Sequence, residues 1–204
     1  MPVPPKPKPS ATAESAERRV WYVAYGSNTH MARLRCYVEG GRGVAGGGRE
    51  YPGCRDRRMP ERSVGVELPG AVYFATRSPV WGGGRAFYDP GAKGRVWARA
   101  HLLTVGQFSD VAAQEMYAAP GRDLGLTRVL AEGREELGPG RYETLVHAGD
   151  LDGLPLLTFT APWAAGAVPH VPPSPAYLAH LAAGLREAGR WSDEAITGYL
   201  TALT

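Results

Sequence analysis

Val20-Trp21-Tyr22-Val23-Ala24-Tyr25-Gly26-Ser27-Asn28 is an apolar run that breaks into a small polar turn. An uninterrupted apolar run of this length, rich in β-branched and aromatic residues, predicts a buried strand. The turn at its end presents backbone N–H groups beside a short hydroxyl and an amide, which suits gripping a carboxylate. Further along, Phe108, Val111 and Ala112 recur at helical spacing in the segment 106–117, and Glu115 falls at the next step of the same face. A carboxylate on the apolar side of a helix is placed where a solvated charge should not be. An anion-gripping turn and an inward-facing carboxylate together make a candidate active site.

These features, in this order, resemble the gamma-glutamylcyclotransferase-like family, including its butirosin-pathway members. The resemblance is carried by Tyr25-Gly26-Ser27-Asn28 after the first strand, Arg33 in the next helix and the single Glu115 near the end of a later helix. It continues through Pro173-Ser174-Pro175-Ala176-Tyr177-Leu178 and Gly184-Leu185-Arg186-Glu187-Ala188 to a short last helix ending near Leu203, so that most of residues 20–203 is covered. The chain departs from the family where an Asp-x-x-Glu-Gly run is common and Ala112-Ala113-Gln114-Glu115-Met116 stands instead.

The resemblance implies an intramolecular aminolysis in which the α-amine of a γ-glutamyl group attacks its own side-chain carbonyl, releasing 5-oxoproline and a free amine. The substrate is then a small γ-glutamyl compound, natural-product precursors among the possibilities, and no cofactor is needed. Ring closure profits from an effective molarity of ~10⁵ M or more once the chain is held curled. The α-ammonium titrates near ~8, so a neighbouring carboxylate has to take its proton and pass it to the departing amine. Glu115 fits that task, because burial raises a carboxyl pKa toward neutrality. Taken without the resemblance, Glu115 reads rather as a helix-end carboxylate satisfied by a basic residue, since structural ion pairs outnumber catalytic acids; the resemblance reverses that order.

The turn residues Tyr25, Gly26, Ser27 and Asn28 are the expected clamp for the α-carboxylate and the polarised γ-carbonyl. Two readings stand for Tyr25, clamp or core aromatic propping the loop, and two for Arg33, substrate partner or salt bridge bracing the turn. Ser27 also permits a serine-type amide hydrolase, although no G-x-S-x-G elbow surrounds it and no histidine is singled out by spacing. A non-catalytic binding module on the same fold is a third alternative. Trp81-Gly82-Gly83-Gly84 is a further pocket-lining candidate, since glycine permits close backbone approach.

Composition narrows the classes. The chain has 204 residues, 44% hydrophobic and 21% charged, which suits one globular domain. With 23 basic against 20 acidic residues the net charge is only +3, too weak a field to recruit nucleic acid or an anionic membrane. No apolar run approaches the ~20 residues of a membrane span and no signal-peptide core opens the chain, so a cytoplasmic location is expected. Cys36 and Cys54 lack C-x-x-C spacing and read as free thiols. His30, His101, His147, His170 and His180 show no ligand spacing, so no metal is expected.

Residues 1–18, with five prolines interleaved with Lys6 and Lys8, read as a disordered tail ahead of one domain at 19–204. Helices are expected over 29–39 and from Pro175, the latter with Ser174 as N-cap and Gly189 past its end. Strands are expected at 71–75, 85–88, 95–104, 142–147 and 154–160, the last two paired across 149–153. Gly41-x-Gly43-x-x-Gly46 matches a dinucleotide fingerprint formally, but a helix precedes it, so 40–48 reads as a flexible loop. The irregular stretches 40–62 and 163–173 are candidates for setting specificity. With strands outnumbering helices and no regular βαβ rhythm, the fold class is α+β: a mixed, mainly antiparallel β-barrel-like sheet with flanking helices.

Overall fold

The computed structural model describes residues 18–43 and 49–204. The apolar run becomes β1 (Arg19–Ala24), an inner strand of a six-stranded sheet. It pairs antiparallel with β7 (Arg95–Thr104) and parallel with β10 (Leu154–Thr160). β4 (Ser63–Pro69) lies outside β7, while β9 (Thr144–Leu151) and β8 (Arg134–Glu136) follow β10, giving the order β4-β7-β1-β10-β9-β8. Every other pairing in this sheet is antiparallel. The sheet is open, with β4 and β8 as its edges. A separate ribbon of β5 (Ala71–Arg77) and β6 (Gly84–Asp89) meets β10 through Thr160, whose hydroxyl donates to the Tyr88 carbonyl at 2.8 Å.

From Val20 onward β1 is apolar because both its faces are covered. Trp21, Val23 and Tyr25 point into one core, shared with helices α4 (Pro175–Glu187) and α5 (Asp193–Ala202) through Tyr177, Leu181, Leu185, Ile196 and Leu200. Val20, Tyr22 and Ala24 point into the other, against α1 (Met31–Val38) and α2 (Val105–Glu115). The alternation is the two-residue period of a strand. A short α3 (Thr127–Glu132) closes the second layer through Val129.

Helix ends carry explicit stops. α2 opens with a capping box, the Thr104 hydroxyl accepting from the Gln107 N–H and the Gln107 amide oxygen from the Thr104 N–H. Ser174 caps α4 with Pro175 in its first turn, and Gly189 follows its end at φ +68°. Both expected strands of the 142–160 hairpin form, the first beginning at Thr144 and running on to Leu151.

The expected loop over 40–48 is in part a strand: β2 (Gly41–Arg42) pairs with β3 (Glu50–Tyr51), while residues 44–48 lie outside the described residues. The expected tail, 1–18, falls outside them up to residue 17. Beyond β3 the chain is tied to α2 by Asp110, a fully buried carboxylate that accepts from the Arg55 main-chain N–H at 2.8 Å and pairs with the Arg55 guanidinium. Both cysteines are buried and unpaired. Among the described residues no helix is long and apolar enough to cross a membrane, and no three His, Cys, Asp or Glu side chains converge as metal ligands.

Candidate active site

Where β1 leaves the sheet, Gly26 turns the chain into a single 3-10 turn, Ser27–Thr29, which opens straight into α1. The Gly26 carbonyl accepts from both the N–H and the hydroxyl of Thr29, at 3.1 and 2.9 Å, so the turn is closed on itself. α4 presses on it from outside. A β-carbon at Gly184 would lie 2.3 Å from Thr29 Oγ1 and 2.7 Å from the His30 nitrogen, and a β-carbon at Gly26 would lie 3.2 Å from the Tyr177 hydroxyl. Gly26 is needed for that closeness and not for a left-handed backbone, since its φ is −111°. Glu187, at the other end of α4, accepts from the Met31 N–H and from buried Arg99, both at 2.7 Å.

The turn forms one wall of a cleft with about 680 Å³ of empty space, open solvent at its mouth included, lined also by β1, β6, β10, α1 and the last residue of α2, Glu115. The structure brings all six expected site residues to this cleft. The Asn28 side-chain amide donates to Glu115 Oε1 at 3.2 Å and to the Tyr22 hydroxyl at 3.1 Å. Its Oδ1 is buried and has no partner. Burial pushes the Glu115 carboxyl above its ordinary range; the Tyr37 hydroxyl, the Arg33 and Arg49 guanidiniums and the Asn28 amide pull the other way without cancelling it. Among the described residues Glu115 makes no ion pair, so the helix-end salt bridge that would account for it otherwise is missing.

Tyr25 props the turn from the wall of the cleft. Its hydroxyl donates to the Phe159 carbonyl at 2.8 Å, propping the end of β1, and its ring still borders the cleft. Among the described residues Arg33 forms no bracing salt bridge. It is buried, donates to the Tyr51 hydroxyl, and lies over the rings of Tyr51 and Tyr37 at 4.8 and 5.3 Å, with its Nε unpartnered. Ser27 Oγ meets no histidine; His180 lies near Ser27 but donates to its main-chain oxygen, at 3.0 Å. Of the Trp81-Gly82-Gly83-Gly84 run only Trp81 lines the cleft, stacked on Tyr177 at 4.9 Å. Gly83 and Gly84 are small for another reason: β-carbons there would strike the backbone of 171–174.

Several cleft residues escape a sequence reading because they converge from distant segments. Tyr22, Tyr37, Tyr142 and Tyr177 surround Glu115, and burial raises all four phenols, so they stay neutral donors and acceptors. At the mouth, Arg49 lies over Tyr51 and Tyr117, at 4.9 and 4.6 Å. Tyr117 and Tyr142 both hold positive φ, +60° and +68°, uncommon for non-glycine residues and frequent at functional sites. No local signal announces either. Of the two irregular stretches expected to set specificity, 40–62 reaches the cleft through Arg49 and Tyr51, whereas 163–173 packs on the β5–β6 ribbon, Val171 donating to Phe74 at 2.9 Å.

Comparison with solved structures places the fold. A solved gamma-glutamyl cyclotransferase matches over 92% of this chain and 89% of its own, with a TM-score of 0.54 at 16% identity. The chain has the gamma-glutamyl cyclotransferase fold. The uncharacterised human protein loc79017 shares that fold, with a TM-score of 0.55 at 16% identity over the same shares of the two chains. In sequence, the chain is 32% identical over 208 aligned positions to histone deacetylase 5 of Arabidopsis thaliana, covering 92% of this chain and 31% of that protein. The cyclotransferase fold here thus spans about a third of the length of that curated relative. No protein-family model matches the chain.

Proposed function

We propose that the chain is a gamma-glutamyl cyclotransferase that converts a γ-glutamyl amide into 5-oxoproline and a free amine. The observation that carries the reading is Glu115: a carboxyl without an ion pair among the described residues, hydrogen-bonded to Asn28 of the turn in the cleft, where burial favours its protonated form. In this mechanism the substrate's α-ammonium sits between Glu115 and the partnerless Asn28 Oδ1, and gives its proton to Glu115. The freed nitrogen pair attacks the γ-carbonyl carbon, and the turn N–H groups of 26–28 take up the charge on the carbonyl oxygen. The new C–N bond closes the five-membered ring. Glu115 returns the proton to the departing nitrogen as the old C–N bond breaks, then takes the second proton from the ring nitrogen and passes it to the released amine, which leaves as its ammonium, so no water, metal or cofactor is consumed. Arg33, with a donor to spare, holds the α-carboxylate.

Charge speaks to the leaving amine. Arg33, Arg49 and Arg85 line the cleft against the single carboxylate of Glu115, so an amine carrying its own carboxylate suits the cleft better than a cationic one. A polycationic natural-product amine is the less favoured substrate. The serine-hydrolase alternative lacks its base, because Ser27 Oγ has no histidine within hydrogen-bond reach among the described residues; Ser27→Ala should therefore weaken activity only moderately, while a covalent adduct on Ser27 from a fluorophosphonate probe would favour the hydrolase. The test of function is mass-spectrometric detection of 5-oxoproline across γ-glutamyl dipeptides, glutathione and γ-glutamyl amines. Release from at least one class supports the reading; release from none leaves the binding module.

A further inference from the structure

Two of the five histidines hold the main chain of the turn, and one of them holds Asn28. His101 is fully buried on β7, directly across from Tyr22 of β1 on one side and from Ser63 of β4 on the other. Its Nε2 lies 3.0 Å from the main-chain oxygen of Asn28 and its Nδ1 lies 2.8 Å from Ser63 Oγ. A carbonyl only accepts, so Nε2 carries the hydrogen, and in the neutral ring that burial favours Nδ1 accepts from the Ser63 hydroxyl. Both ring nitrogens are spent, and the imidazole is neutral in one tautomer. Burial and the neighbouring Arg99 charge agree with that state, bringing its pKa down to about 3.

One rung of the sheet, Ser63, His101 and Tyr22, therefore grips Asn28 twice. Tyr22 takes the side-chain amide and His101 the main-chain carbonyl, and the same amide nitrogen reaches Glu115 at 3.2 Å. We propose that His101 is a positioning residue for the reaction, holding the Asn28 carbonyl, with Ser63 behind it, so that the Asn28 side chain stays aimed at Glu115. This rests on the cyclotransferase reading above. A histidine that only satisfied its hydrogen bonds in the core would affect stability alone; a positioning histidine also sets kcat.

The test uses the full chain with His101→Leu, His101→Gln and Ser63→Ala, measuring kcat, KM and melting temperature. Leucine cannot donate, whereas glutamine can reach the Asn28 carbonyl with its own N–H. His101→Leu is expected to lose kcat by about tenfold or more with KM within about threefold, and His101→Gln to recover most of it. Ser63→Ala is expected to fall between wild type and His101→Leu. Equal kcat in the leucine variant and wild type, or equal losses in the leucine and glutamine variants, would overturn the proposal. Should His101→Leu not fold, long-range ¹⁵N–¹H correlation on the wild-type protein decides: a neutral Nε2–H ring unchanged from pH ~5 to ~9 is expected, and an Nδ1–H or protonated ring overturns it. Full activity in Glu115→Gln would sink the cyclotransferase mechanism itself, while an inactive Glu115→Gln beside a fully active His101→Leu would sink the positioning role alone.

Discussion

Glu115 concentrates the energetic cost of the site. A carboxyl whose folded pKa is raised above its ordinary 4.5 binds protons more tightly in the folded state, so stability is lost as pH climbs from that value through the folded pKa. Glu115→Gln removes the penalty. Its melting temperature should exceed that of wild type at pH ~7, and the difference should shrink away below pH ~4, where both states of the wild-type carboxyl are protonated; thermal melts across that range check it, and a gain that persists in acid would contradict it. Gly26 makes a second residue-scale case. An added methyl would crowd the Tyr177 hydroxyl at 3.2 Å, so Gly26→Ala should cost ~1 kcal/mol, and Tyr177→Phe in the same chain should return part of it. Additive losses in the double variant would show that the crowding lies elsewhere.

At the scale of elements, the site is a turn held between β1 and α4. The closest approach is at Gly184, where a β-carbon would meet the main chain of 29–30 at 2.7 Å. Gly184→Ala should push α4 off the turn, destabilising by ~1–3 kcal/mol and lowering activity at temperatures where the variant is still folded; native melting and turnover would contradict the clamp. What could be read from sequence here was local. β1, the turn, the apolar face of α2 and the Ser174, Pro175 and Gly189 punctuation of α4 are each written within a few neighbouring residues. β4 and β8 carry no such local signal. β8 is Arg134-Glu135-Glu136, a strand only because β9 offers an edge, and β4 carries Gly65, whose missing side chain makes room for Arg190 and Trp191. The cleft shares that limit: Glu115 and the turn announce themselves, while Arg49, Tyr51, Tyr142 and His101 acquire their parts only when β3, the end of the β8–β9 connection and β7 are brought together.

At the scale of the molecule, one folded unit from β1 onward supplies every described side chain of the cleft. Removing residues 1–17 should therefore leave melting temperature and turnover unchanged within error, and a clear drop in either would show that this segment contributes to the fold or the site. The sheet, its two helical layers and the β5–β6 ribbon all serve to bring a turn at residue 26 and a helix end at residue 115 within hydrogen-bonding distance, and that meeting is the central claim. It is tested most directly by the single-turnover rate of 5-oxoproline formation, followed by mass spectrometry, for wild type and for Glu115→Gln, on the best substrate of the γ-glutamyl panel. The account predicts a loss of ~10²-fold or more with substrate binding preserved; a variant that forms 5-oxoproline at close to the wild-type rate would contradict it.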